Sequence, residues 1–338
     1  MNLRFKLAAI LAGSLSISAN AVSGEELSVA TFVPPSHETI TGALAWFENE
    51  LTSRSNGELT LKVYAAGQLG AGPTQQYKRA VEGVADITFG IAASTPTLFP
   101  KTMLAILPGK ALDGPDSTRR MWTVFDKYMA DEWSDVKVLA VGNPAGGMII
   151  ATKDVSTIEG MKGTKIVPWA AITTPVLQGM GAVPVQLDPT EHYTALSTGT
   201  IDAAISSINN IMPPWNLDEV ANYAVVNTPA TFNPVFYVMN KERYESLSAK
   251  HQKIIDEISG MPFSMQLVQA FHDADEVALK WKDEKIAAGE LNVEWIVTSD
   301  RERAKMEAAA AAGMEAIYSD YADRGIQNAQ TIYEALNK

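Results

Sequence analysis

Two short stretches of the chain are built alike: Gly83–Ala92, GVADITFGIA, and Gly199–Ser207, GTIDAAISS. In each, a glycine ends a helical pattern, an aspartate follows three residues later, and an apolar run starts directly after it. An aspartate in that place accepts hydrogen bonds from backbone N–H groups and tightens the turn. Asp86 and Asp202 are therefore read as equivalent turn residues leading from helix into strand. A helix-to-strand turn occurring twice, more than 100 residues apart, points to two blocks of α/β structure with parallel strands.

The flanking sequence agrees. Before the first stretch, ELSVATFV (26–33) reads as a strand ending at Pro34-Pro35. HETITGALAWFENELTSRSNG (37–57) is an amphipathic helix with Ala43, Trp46, Phe47 and Leu51 on one face and Gly57 as a stop. ELTLKVYAAG (58–67) alternates as a second strand, and GPTQQYKRAVEGVA (72–85) is the helix that Gly83 breaks. Before the second stretch come the strand TKIVPW (164–169), a helix over 173–180, the strand AVPVQL (182–187) and a helix over 189–198. Between the blocks lie a helix over 117–133 and the strands VKVLAVGN and GMIIAT. After them come two strand-like pieces around Thr228-Pro229 and a helix-dominated region over 250–305.

The expected fold class is α/β with two lobes, divided as residues 22–148 plus 237–275 and residues 149–236 plus 276–338. The chain crosses between the lobes, so a hinge forms, and the cleft between them is the natural ligand site.

Composition narrows the function. Arg4 and Lys6, the apolar run Leu7–Ile17 and Ala19-Asn20-Ala21 have the layout of a secretory signal peptide over residues 1–21. Its cleavage leaves about 317 of 338 residues and takes the formal charge from −12 by two units to −14. That acidity excludes affinity for nucleic acid or anionic lipid, and no later apolar run is long enough for membrane insertion. There is no cysteine, which rules out thiol nucleophiles and thiolate metal sites. Nucleophile-elbow, phosphate-loop and dinucleotide motifs are absent from the mature sequence. The four histidines His37, His192, His251 and His272 are never three or four apart, so neither a metal nor a cofactor is expected. His37 follows the strand-ending proline pair and faces either the cleft or the surface, while His192 is read as solvent-facing.

Of the seven tryptophans, Trp46, Trp122, Trp133 and Trp281 fall in helical patterns and are expected in packing. Trp169 and Trp215 stand beside prolines, in VPW and MPPW. There a ring stacks on a ligand or holds a cation, worth about 0.5–2 kcal/mol, or else plugs the strand end. Trp169 is read as ligand-facing, and Trp215 is left open.

From Glu26 to Leu247 and beyond, the chain resembles the DctP-like solute-binding proteins of tripartite ATP-independent periplasmic (TRAP) transporters. The segments that carry the likeness include PPSHETITGALAWFENELTSRSNGELTLKVYAAGQLG, IEGMKGTKI, GMGAVPVQLDPTEHYTALSTGTIDAA and NPVFYVMNKERYESLS. The resemblance implies a two-lobe periplasmic binding fold with crossing strands and a long connecting helix, no catalysis, and delivery of a small-molecule solute to membrane permease subunits. The protein is expected to be a periplasmic monomer. Most members of the family hold a carboxylate with an arginine in the strand after the KG-x-KI turn. In this chain Val167 occupies that place, and Lys165, within the turn motif, is a poor replacement.

A simple carboxylate held in the usual way is therefore not expected. The candidates are a small amine or quaternary amine, an aromatic compound, or an organic acid bound through other donors. The expected cleft residues are His37, Gln68, Ser94, Trp169, Ser206, Asn209 and Phe232, with Asp188 beside them. The resemblance implies a polar residue, more usually asparagine, near Ser206 or Ser207, with Asn209 close by, and Phe232 lies where the family's returning strand crosses the hinge.

Overall fold

The computed structural model describes residues 24–111, 113–229 and 231–338; the signal peptide read from the sequence lies outside them. The first block supplies β1 (Glu25–Ala30), β2 (Leu59–Tyr64) and β3 (Ile87–Ile91), with helices Ala45–Arg54 and Gln76–Val81 between them. β4 (Val136–Gly142) closes the block. The chain then crosses through β5 (Ala145–Gly146) into β6 (Met148–Ala151), β7 (Lys165–Val167), β8 (Val183–Pro184), β9 (Ala203–Ser206) and β10 (Tyr223–Val226). It returns through β11 (Thr231–Phe232) to β12 (Val235–Asn240), and later adds β13 (Glu294–Val297) to the second sheet.

Two sheets result, ordered β2-β1-β3-β12-β4 and β13-β10-β6-β9-β7-β8. β1 runs parallel to β2 and β3, and β7 runs parallel to β8 and β9. The strands that carry the chain across are antiparallel: β12 against β3 and β4, and β6 against β9 and β10. The two crossings lie side by side, β5 pairing with β11 in a separate two-stranded ribbon.

β12 shows how sequence becomes core. Every residue of it is buried, because neighbouring strands flank both edges and each face is covered. Alternation sends Phe236 and Tyr237 to opposite faces. Phe236 packs edge-on to Trp133 at 5.3 Å, and Trp133 itself stacks on Phe99 at 4.0 Å. Tyr237 stacks on Phe263 at 5.2 Å, and its hydroxyl donates to the Thr39 carbonyl at 2.9 Å. Each ring pair contributes about 0.5–1.5 kcal/mol beyond its buried area. Trp46 and Trp122 also stack, on Phe263 and Phe125, as packing residues.

The helix Met261–Ala288 is 28 residues long, about 42 Å at 1.5 Å per residue. It lies across β4, where Ser264 Oγ accepts from Val141 N–H at 2.9 Å and Leu139 O accepts from Gly260 N–H at 2.7 Å. Gly142 is required at this crossing. A Cβ there would stand 2.8 Å from Val268 Cγ1 and 3.3 Å from the Ser264 carbonyl. Farther along, the same helix reaches the second block through Asp275, which accepts from Asn209 N–H at 3.2 Å. The last helix, Ala329–Leu336, packs on the helix Gly114–Tyr128.

Two pieces depart from the sequence reading. The strand expected over 182–187 shrinks to the two residues of β8, and β13 arises inside a region read as helical. β13 is four residues at a sheet edge beside β10, too short to stand out between two long helices.

The sequence reading has the paired aspartates bonding backbone N–H groups to tighten their own turns; in the structure their carboxylates bond to a neighbouring strand instead. Asp86 Oδ2 accepts from Ser28 N–H at 2.7 Å and from Ser28 Oγ at 2.8 Å, tying β3 to β1. Asp202 Oδ2 accepts from Lys165 N–H at 2.8 Å, tying β9 to β7. Hydrogen bonds to a charged acceptor contribute about 1.5–3 kcal/mol. Asp86→Ala and Asp202→Ala are each expected to lower unfolding free energy by about 2 kcal/mol in urea titrations with an unchanged denaturant slope; a loss below about 0.5 kcal/mol would show the turns to hold without them.

Candidate functional site

β1, β3, β7 and β9 all end at the same place, the space between the two sheets. Carboxyl ends of parallel strands are where open α/β sheets take ligands, and here they enclose a cavity of about 320 Å³, within the usual range of about 300–1,000 Å³ for small-molecule sites.

The first sheet and the long helix supply an aromatic wall. Phe32 follows β1 and stacks on Phe89 of β3 at 5.8 Å. Phe271, one-third of the way along the helix Met261–Ala288, meets the His37 ring edge-on at 6.0 Å. From the second sheet come Trp169, two residues beyond β7, and Trp215; Asp188, Asn209 and Asn210 lie near them on the wall. Asn233, on the returning crossing, completes the polar lining.

Among the described residues, no lysine or arginine lines this cavity. Val167, where the family resemblance would place an arginine, is 1% exposed in an apolar cluster with Met148, Ile150 and Leu196. Lys165 is exposed on the outside.

His37 does not restore a positive charge. Burial holds its pKa below the usual histidine value, against the opposing pull of Glu38, so the ring is neutral at pH 7. Its Nδ1 lies 3.3 Å from Thr39 N, 3.2 Å from Thr39 Oγ1 and 3.4 Å from Glu38 Oε2. His37 is thereby a neutral imidazole on the cavity wall, held through Nδ1.

The acidic side is organised around Asn209. Its Nδ2 donates to Glu38 Oε1 at 3.2 Å and its backbone N–H donates to Asp275. Asn209 thus joins the second sheet both to the first and to the long helix. Its Oδ1 is buried with no hydrogen-bond partner among the described residues, as are Trp169 Nε1 and Asn233 Oδ1. Three unpaired polar atoms on residues of one wall are unusual, since most buried polar groups are paired.

Of the expected cleft residues, the fold brings His37, Trp169, Asp188 and Asn209 together, and Trp215 joins them. Four others do not line the cavity. Gln68 is exposed because Ala66 and Gly67 take left-handed backbone (φ 52° and 73°) and turn it outward, while Gly72 and Pro73 of the same loop reach the wall. Ser94 is carried off by the turn Ala92–Ser94 that follows β3. Ser206 is 1% exposed at the end of β9, where its Oγ accepts from Asn210 Nδ2 at 2.9 Å. Phe232 is 1% exposed in the β5–β11 ribbon and packs into the core.

His192, read as solvent-facing, is also corrected. It is 6% exposed on the helix His192–Ser197, and burial lowers its pKa to about 4. The sequence reading missed Phe32, Phe89, Phe271, Glu38 and Asn233. The first two alternate along strands and Phe271 sits in a helical apolar pattern, so each looked like core. Glu38, next to His37 at the same strand end, carried a usable signal.

Asp275 gives the site a pH dependence. Burial, reinforced by the charges of Glu38 and Glu276, raises its pKa to about 7, against the Asn209 N–H bond that favours the carboxylate. In the unfolded chain the group titrates near its ordinary value of about 4. The folded state therefore binds this proton more tightly, and stability falls as pH rises from about 4 to about 7. Asp275→Asn is expected to match the parent melting temperature at pH 4 and to exceed it increasingly up to pH 7 and above. A constant difference across that window would show that Asp275 does not titrate there.

The model for bacterial extracellular solute-binding protein, family 7 (DctP), matches residues 29–320. The chain is 25% identical to the outer membrane transporter protein TsaT of Comamonas testosteroni, covering 99% of this chain and 98% of the relative. Among solved structures, a marine metagenome TRAP solute-binding protein specific for aromatic acid ligands, in complex with metahydroxyphenylacetate, superposes with a TM-score of 0.82. Its identity is 26%, with 92% of this chain and 97% of the other covered. A TRAP solute-binding protein of Rhodoferax ferrireducens with copurified benzoate gives a TM-score of 0.82 at 25% identity, covering 93% and 96%. The match over most of the chain, with the two-sheet fold and the cleft between, places this protein in the DctP family as a solute-binding protein of a TRAP transporter.

Proposed function

We propose that this protein captures a small aromatic solute in the cavity between its sheets and delivers it to a TRAP membrane permease. The observation that carries the reading is the wall itself: Phe32, Phe89, Phe271, Trp169 and Trp215 surround the space, and among the described residues no cationic side chain does. Aromatic rings in a desolvated pocket favour another ring through buried area and offset or edge-on contact. The relatives that bind aromatic acids support the ring. The means of holding an acid differs here, because Val167 replaces the arginine. An acid group on the solute meets neutral polar side chains such as His37 and Asn210 instead of a guanidinium, and a solute recognised by its carboxylate alone fits this wall poorly.

Capture is closure of one lobe, residues 22–148 plus 237–275, on the other, residues 149–236 plus 276–338, with the last helix following the first lobe on which it packs. Sheet membership supports that division. Ligand stabilises the closed form by its higher affinity for it. In this reading the protein is a periplasmic monomer, exported by a signal peptide over residues 1–21, and carries out no catalysis. None of the described helices is long and apolar enough to cross a membrane.

A thermal-shift panel of aromatic acids, phenols, arylalkylamines and aliphatic acids tests the reading. A ring compound at 100 times its Kd adds about 2.7 kcal/mol of stability, so aromatic members are expected to give the largest shifts. Trp169→Ala should weaken the best of them about 30-fold, equivalent to about 2 kcal/mol. If aliphatic acids gave the largest shifts, or Trp169→Ala left affinity unchanged, the aromatic reading would fail.

A further inference from the structure

We infer that Glu38 and Asn209 form a specificity-determining end of the cavity, selecting aromatic solutes that present an O–H or N–H donor to it. The inference rests on the aromatic reading above and adds which substituent the ring must carry.

The orientation of the Asn209 amide is the starting point. An asparagine amide can turn over, exchanging its oxygen and nitrogen, unless its neighbours forbid it. Here Glu38 Oε1 is 3.2 Å from Nδ2. Turning the amide over would set Oδ1 against a carboxylate oxygen, two acceptors with no proton between them. Glu38 therefore fixes Nδ2 toward itself. The backbone is held as well, since Asn209 N–H donates to Asp275 Oδ1.

Oδ1 is then left as an acceptor, buried and unpartnered among the described residues. Beside it stands the Glu38 carboxylate, which also accepts only. Its side chain is 17% exposed and it lines the cavity. Glu38 already accepts from Asn209 Nδ2 through Oε1, and its Oε2 lies 3.4 Å from His37 Nδ1. Among the described residues no lysine or arginine lines the wall. Asn209 Oδ1 thus remains an acceptor without a donor, beside a carboxylate with further accepting capacity, and an unpaired acceptor discriminates between ligands that do and do not bring the hydrogen.

A phenolic hydroxyl and an aryl-linked ammonium share this chemistry. Isothermal titration of the intact protein at pH 7 with four probes separates them: 3-hydroxybenzoate and benzylamine carry a donor, while benzoate and 3-methoxybenzoate do not. At least one donor-bearing probe is expected to bind ten-fold or more tightly than both probes without one, and which donor wins identifies the source. In Glu38→Gln and Asn209→Ala the preference, taken as a ratio of Kd values so that general loss of affinity cancels, should fall about ten-fold. If 3-methoxybenzoate or benzoate bound as tightly as both donor-bearing probes, or if the ratio survived in both variants, the inference would be overturned while the aromatic reading stood. If none of the four ring compounds bound, the aromatic reading and this inference would fall together.

Discussion

The two crossings between the sheets are the constraint on which the rest of the molecule depends. Ala145–Gly146 leaves the first sheet, Thr231–Phe232 returns to it, and the two pair antiparallel. The ribbon leaves the carboxyl ends of β1 and β3 opposite those of β7 and β9, with a gap between. It also explains why the long helix lies over β4: Gly142, bare of a side chain, permits the approach just before the chain departs. Phe232 is consumed in this arrangement. Its ring packs into the core beneath the crossing, where it holds the ribbon down instead of meeting a ligand.

Given that gap, charge decides what enters it. Val167 stands where the family resemblance implies a guanidinium, and burial holds the ionisable groups near the gap toward their neutral forms. His37 stays neutral and Asp275 holds its proton up to about pH 7. Both shifts have burial as their first cause, and both reduce the number of charges the cavity carries. What remains is a wall of rings with a few oriented polar atoms, an arrangement that recognises a flat apolar body by area and its substituents by hydrogen bonding.

Much of this was legible before any coordinates. The equivalence of Asp86 and Asp202 was legible from local turn chemistry, whereas their partners, on a neighbouring strand far away in sequence, were not. Trp169 and Asn209 were visible because each follows a strand end by two or three residues. Gln68 and Ser94 also follow strand ends, by four and three residues, yet miss the cavity, since one left-handed turn at Ala66-Gly67 and one tight turn after β3 redirect them. Such turns are decided by backbone torsions that the residue types permit without requiring. Phe271 was hidden for the opposite reason. On a helix of ordinary amphipathic pattern nothing distinguishes a ring that faces a cavity from one that faces the core, and only the crossing of that helix over β4 brings it to His37.

Asn209 connects recognition to movement. It belongs to the loop after β9 in the second sheet, whereas Glu38 follows β1 in the first and Asp275 sits on the helix that spans both. One of its hydrogen bonds, to Glu38, bridges the two sheets directly, and the other ties it to the long helix; in the closure proposed above, the bridge to Glu38 belongs to the closed form. The two bonds contribute about 1–3 kcal/mol each with a charged acceptor, and less once the cost of leaving Oδ1 unpaired is set against them. A solute whose donor satisfies that oxygen removes the opposing cost in the closed form alone, because in an open form water reaches the same atom. The free energy so gained is differential between the two states, which is the only kind that shifts a conformational equilibrium. On this argument the group that selects the solute is also the group through which the solute closes the protein.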